Sequence, residues 1–195
     1  MNPSGLTLAE VNRKANEFLQ KYNPAGNLPI PIEEIVELQM HIALVVVPGI
    51  KELLGIDAFI SSDFSQITID EYAYENYAER TKFSIAHEIG HSILHAEWYQ
   101  NHGPKNLDDY LTFHERINQE SYKYLEIQAN TFAGLVLVPT TPLITLLRTK
   151  LGRTPSNEDL SVLLPIFQEL LDVFKVSGEM LLIRMQKEKL VKSTR

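Results

Sequence analysis

Apolar residues recur at helical spacing over residues 7 to 22, TLAEVNRKANEFLQKY, where Leu8, Val11, Ala15, Phe18 and Leu19 share one face and Asn23-Pro24 ends the run. The pattern predicts a first amphipathic helix. After LPIPI the segment IEEIVELQM repeats the helical period, and HIALVVV is β-branched enough to predict a buried strand, broken by Gly49. Residues 58 to 70, AFISSDFSQITID, predict two short strands around a Ser-Ser-Asp-Phe-Ser turn. Ile67 and Ile69 alternate with Gln66, Thr68 and Asp70, so this segment is expected as an edge strand with one wet face.

From Tyr99 to Asn118 the chain is polar, holds Gly103-Pro104 and sustains no period, which predicts a long excursion between helices. A second long helix is expected near residues 118 to 137, ending at Pro139, and two or three more over 142 to 192, interrupted around Gly152 and Pro165. The expected class is α+β, mainly helical, with a small sheet of about three strands. One domain over 1 to 195 is expected, with a core at about 29 to 139 and a helical part from about 140.

One stretch of this pattern carries chemistry. In FSIAHEIGHSILH, residues 83 to 95, a step of about 100° per residue places His91, His95 and Glu88 at about 40°, 80° and 100° from His87. Phe83, Ala86, Ile89, Gly90, Ile93 and Leu94 fill the opposite face. His87 and His91 stand about 6 Å apart along the axis, which lets both imidazoles reach one ion at about 2.0 to 2.1 Å. Glu88 beside them can act as general base on a water held by that ion, the logic of the H-E-x-x-H arrangement. His95 lies too far along the axis to join them easily and is expected to support the ligands or the packing.

A catalytic zinc needs a third protein ligand and an open position. YLEIQANTFAGLVLVP offers Glu126, flanked by the small Ala129 and Ala133, with Asn130 one turn on to orient a ligand. Glu115 and Glu120 are rival carboxylates and His114 a rival imidazole.

Composition narrows the rest. The chain has 195 residues, 44% hydrophobic and 22% charged, and no cysteine, so a metal site must use His and carboxylates. A formal charge of −7 disfavours direct nucleic-acid binding, although Arg184, Lys187, Lys189, Lys192 and Arg195 make a basic end. No apolar run spans a bilayer and no leader-like start is present, which points to a soluble, cytoplasmic protein.

RTKFSIAHEIGHSILH followed by YLEIQANTFAGLVLVP resembles the ImmA/IrrE metallopeptidases, whose H-E-x-G-H helix is preceded by an Arg and a Phe, as Arg80 and Phe83 are here. Glu126, Ala129, Asn130, Phe132, Ala133 and Pro139 match the second motif. The resemblance implies a zincin-like fold, His87, His91 and Glu126 as ligands of Zn²⁺, and Glu88 as the catalytic base. It also implies an endopeptidase acting on a helix-turn-helix transcriptional repressor. The stretch between His91 and Glu126 is longer than usual for the family, and residues 1 to 28 are too short for a DNA-binding domain.

The alternative is a regulatory protein that binds a repressor or DNA without cleavage, because residues 166 to 190 outline a helix, a turn at Val176-Ser177-Gly178 and a second helix. The electrophile for a peptidase is expected among Tyr99, His102, Tyr110 and His114.

Overall fold

The computed structural model describes residues 5 to 192, with the side chains of His114 and Ser121 and the terminal Arg195 outside the described set. The first helix, α1 (Leu8–Tyr22), begins at a capping box: Glu10 N–H donates to Thr7 Oγ1, and Thr7 N–H donates to the Glu10 carboxylate at 2.7 Å. Val11, Ala15 and Phe18 form its buried face. The segment 32 to 39 is helical as expected, as α2 (Ile32–Glu34) continued by a π-helical turn over Ile35–Gln39.

Three strands follow: β1 (Ala43–Val47), then β2 (Ala58–Ile60) after the short α3 (Ile50–Leu54), then β3 (Gln66–Asp70). Their order is β1-β3-β2, with β1 parallel and β2 antiparallel to β3, so Thr68 pairs with both Val45 and Phe59. The segment expected at the edge is therefore the central strand. Its polar residues misled because they are satisfied internally instead of wetted. Thr68 and Asp70 are 3% and 2% exposed. Gln66 donates to Thr68 Oγ1, while Asp70 caps α4 (Glu71–Asn76) through Ala73 N–H and also accepts from Lys51 N–H. Conversely β1, expected to be buried, is half-exposed.

The helix α5 (Ala78–Leu94), which carries His87, Glu88 and His91, makes its most extensive contact with α8 (Gln119–Leu137), and α1 lies against α8. Gly90 makes this closeness possible: a Cβ there would meet Ala129 Cα at 3.1 Å and Phe132 Cδ1 at 3.3 Å. Phe132 is fully buried beneath them, which contributes roughly 1.5–3 kcal/mol relative to exposure.

The expected excursion is not irregular. It forms α6 (Ala96–His102) and α7 (Leu107–Arg116), the latter capped by the Asn106 side chain, which accepts from Asp109 N–H. A few large aromatics supply the burial that a sustained period would have announced. Tyr110 and Phe113 pack on Phe59 of β2, with Trp98 and Tyr122 against them.

The last part holds α9 (Thr140–Leu151), ended by Gly152 at φ +70°, α10 (Leu160–Phe174) and α11 (Gly178–Lys187). Pro165 lies inside α10 and does not interrupt it. The Ser177 hydroxyl caps α11. In the helix-turn-helix outline this second helix would read DNA, yet Met180, Leu181, Arg184 and Met185 are buried. The Arg184 guanidinium donates to Val138 O, Thr140 Oγ1 and Glu188, tying α11 to the end of α8. No single helix among the described residues is long and apolar enough to cross a membrane.

Candidate metal centre

One turn apart on α5, His87 and His91 bring their Nε2 atoms to 3.0 Å from each other. From α8, Glu126 reaches across the Gly90 contact. Its Oε2 lies 3.2 Å from His87 Nε2 and its Oε1 3.2 Å from His91 Nε2. Ligands arranged tetrahedrally at about 2.0–2.1 Å from an ion stand about 3.3–3.4 Å apart, so this set has nearly the right spacing. Glu126 Oε1 is buried and accepts no hydrogen bond. An orphaned carboxylate oxygen facing an imidazole nitrogen, with the other oxygen facing a second imidazole, is a poor arrangement by itself and fits a shared cation.

Glu88 also belongs to the cluster: a ligand atom of each of His87, Glu88 and His91 lies within 4.8 Å of the others. Its Oε2 is occupied, accepting the Ile60 N–H of β2 at 2.9 Å, whereas both Glu126 oxygens face the histidines. Burial pushes the Glu88 carboxyl up to about 8, with Glu126 adding repulsion and His87 opposing it. Burial would also raise Glu126, but its contacts with His87 and His91 outweigh that and hold it far below the usual carboxylate range.

The two imidazoles diverge. Burial would lower His87, but Glu126 and the charge of Glu88 reverse this and raise it, whereas burial takes His91 down to about 3. Each has a supporting partner. His87 Nδ1 lies 3.0 Å from Asn130 Oδ1, and His91 Nδ1 lies 3.2 Å from His95 Nδ1. His95, 4% exposed, reaches Gln128 Oε1 through Nε2 at 2.8 Å, and Gln128 Nε2 donates to Leu6 O at 2.9 Å.

A cleft of about 390 Å³ opens over these groups, lined among others by Phe59, Phe83, Tyr99, Tyr110 and Tyr122. Burial raises the phenols of Tyr99, Tyr110 and Tyr122 above their ordinary range, so all three are O–H donors at neutral pH. The Tyr99 ring lies over His91 with centroids 4.6 Å apart.

Of the electrophiles expected from sequence, Tyr99 and Tyr110 line this cleft. His102 instead stacks on Trp98 away from it, and the side chain of His114 lies outside the described residues. Tyr122 went unremarked, although its position one turn before Glu126 on the same helix face signals it. The rival carboxylates Glu115 and Glu120 are exposed.

Residues 67–186 match the model of the peptidase M78 family, described as the IrrE N-terminal-like domain. Among solved structures, the chain is similar in fold to a Mycobacterium tuberculosis transcriptional regulator, with a TM-score of 0.52 at 14% identity over 92% of this chain. The match spans 46% of that regulator, so the chain covers just under half of its length. No curated protein matches the chain in sequence.

Proposed function

The chain belongs to the IrrE N-terminal-like family of peptidases, and from that premise we propose that it is a zinc-dependent endopeptidase, with His87, His91 and Glu126 as metal ligands and Glu88 as general base. The observation that carries this reading is the meeting of two Nε2 atoms and the Glu126 carboxylate within 3.2 Å, with Glu126 Oε1 left without a hydrogen bond. The donor set, two imidazoles and a carboxylate, suits zinc.

When bound, the ion would lower the pKa of a water toward neutrality and polarise the substrate carbonyl. Glu88 accepts the proton of that water on the oxygen not engaged by Ile60 N–H and returns it to the leaving amine. Asn130 and His95 hold the histidine rings in place. The buried phenols of Tyr99, Tyr110 and Tyr122 exclude bulk water from the cleft and supply O–H donors toward the developing oxyanion.

An extended substrate needs a strand edge. With β3 central, the edge that faces the cleft is the outer edge of β2, where Ala58 and Phe59 line it. The substrate is a helix-turn-helix transcriptional repressor in the cytoplasm, and its cleavage switches genes on; the family and the regulator-like fold support this reading. Two experiments test it. The purified protein should hold one zinc per chain, and co-expression with its helix-turn-helix repressor substrate, sought first among genes adjoining its own, should give a discrete fragment that a chelator abolishes. An intact repressor in the presence of stoichiometric zinc would overturn the proposal in favour of binding without cleavage.

A further inference from the structure

His91 turns one ring nitrogen to His87 and Glu126 and the other to His95, and a neutral ring carries its proton on only one of them. We propose that the backbone carbonyl of Leu6, acting through Gln128 and His95, fixes the tautomer of His91 so that its Nε2 lone pair faces the metal position. The inference rests on the reading of His91 as a metal ligand.

The argument begins at the one group whose polarity cannot change. A peptide carbonyl only accepts, so the Gln128 atom 2.9 Å from Leu6 O is the amide nitrogen. This turns Gln128 Oε1 toward His95 Nε2 at 2.8 Å. An amide oxygen also only accepts, so Nε2 carries the His95 proton and Nδ1 is bare. That bare nitrogen stands 3.2 Å from His91 Nδ1. Two lone pairs would repel there, so His91 is protonated at Nδ1 and bare at Nε2.

Burial supports the same picture. With His91 1% and His95 4% exposed, neither ring has the solvent around it that a positive charge would need. A neutral ring has a tautomer to set, whereas an imidazolium has none. Leu6 immediately precedes the Thr7 cap of α1 and lies 122 residues before Gln128. The segment before α1 thus acts on the metal centre without touching it. Gln128, His95 and the Leu6 carbonyl are positioning groups: none of them meets the substrate.

Long-range ¹H–¹⁵N NMR of the ring nitrogens in the metal-free, unaltered protein tests the relay directly. His91 should be protonated at Nδ1 and bare at Nε2; the reverse assignment overturns the proposal and needs no variant. Zinc affinity, read by competition with a chromophoric chelator, gives a second measurement. Gln128→Leu should weaken it by roughly 10–100-fold, as loss of a supporting partner does. His95→Gln, whose amide oxygen still accepts from His91 Nδ1–H, should stay within about threefold. A folded Gln128→Leu that binds zinc as tightly as the unaltered protein overturns the relay, provided His91→Ala is defective. If His91→Ala itself binds zinc unchanged, the ligand assignment falls and takes the relay's metal role with it.

Discussion

Gly90 of α5 faces the backbone of Ala129 on α8 so closely that a Cβ at Gly90 would stand 3.1 Å from Ala129 Cα. Glu126 lies one turn before Ala129 and His91 one residue after Gly90, so this contact sets the distance across which the carboxylate meets the imidazoles. Gly90→Ala should destabilise the fold by about 1–3 kcal/mol through overpacking and weaken zinc binding as Glu126 is pushed away. Chemical denaturation and a zinc titration measure the two effects; unchanged affinity in a destabilised variant would separate the contact from the site.

Removing the base without the ligands should separate binding from chemistry. Glu88→Gln keeps a group of the same shape and should retain stoichiometric zinc while cleavage slows by about 10²–10⁴-fold. Metal analysis alongside a cleavage time course checks both halves. Full activity in this variant would eliminate Glu88 as the base.

The third ligand is assigned by comparing carboxylates. Glu126→Gln should lower zinc affinity by at least about 10-fold, whereas Glu115→Gln and Glu120→Gln, at exposed positions of α7 and α8, should leave it unchanged. Equal losses across the three would remove the preference for Glu126.

The buried Glu88 also predicts a pH effect in the metal-free protein. Its carboxyl moves from an ordinary value of 4.5 to about 8 on folding, mainly through burial. Between those values the folded state holds the extra proton, so folding loses stability as pH rises through the window. Metal-free Glu88→Gln should therefore be the more stable protein at pH 8, by on the order of a few kcal/mol, with the margin closing toward pH 5. Denaturation in the presence of a chelator reads this, and a margin that widens on acidification contradicts it.

The H-E-x-x-H helix was legible in the sequence because its period and its chemistry coincide: His87, Glu88 and His91 fall on one face and Ile89 and Gly90 on the other. Glu126 was legible only as one of several carboxylates until the family motif singled it out, since the meeting of α5 and α8 is set by tertiary packing. The misreadings share a cause. Alternation at Gln66, Thr68 and Asp70 reads as a wet face, but hydrogen bonds to a hydroxyl and to backbone amides let these residues sit in the central strand. Polar α6 and α7 hide their burial in Tyr99, Tyr110 and Phe113, too few to mark a period.

The bond from Ile60 N–H to Glu88 has a consequence for any chain that docks alongside it. Ser61 N–H points inward to Gln66 O, so by antiparallel alternation Ile60 and Ala58 point outward. With the Ile60 amide already held by the carboxylate, the rung beside Glu88 can offer a guest only an acceptor, and the next rung, at Ala58, must set the phase. Under the proposed function, a polypeptide added to this rim would take its frame from main-chain geometry before any side chain is read.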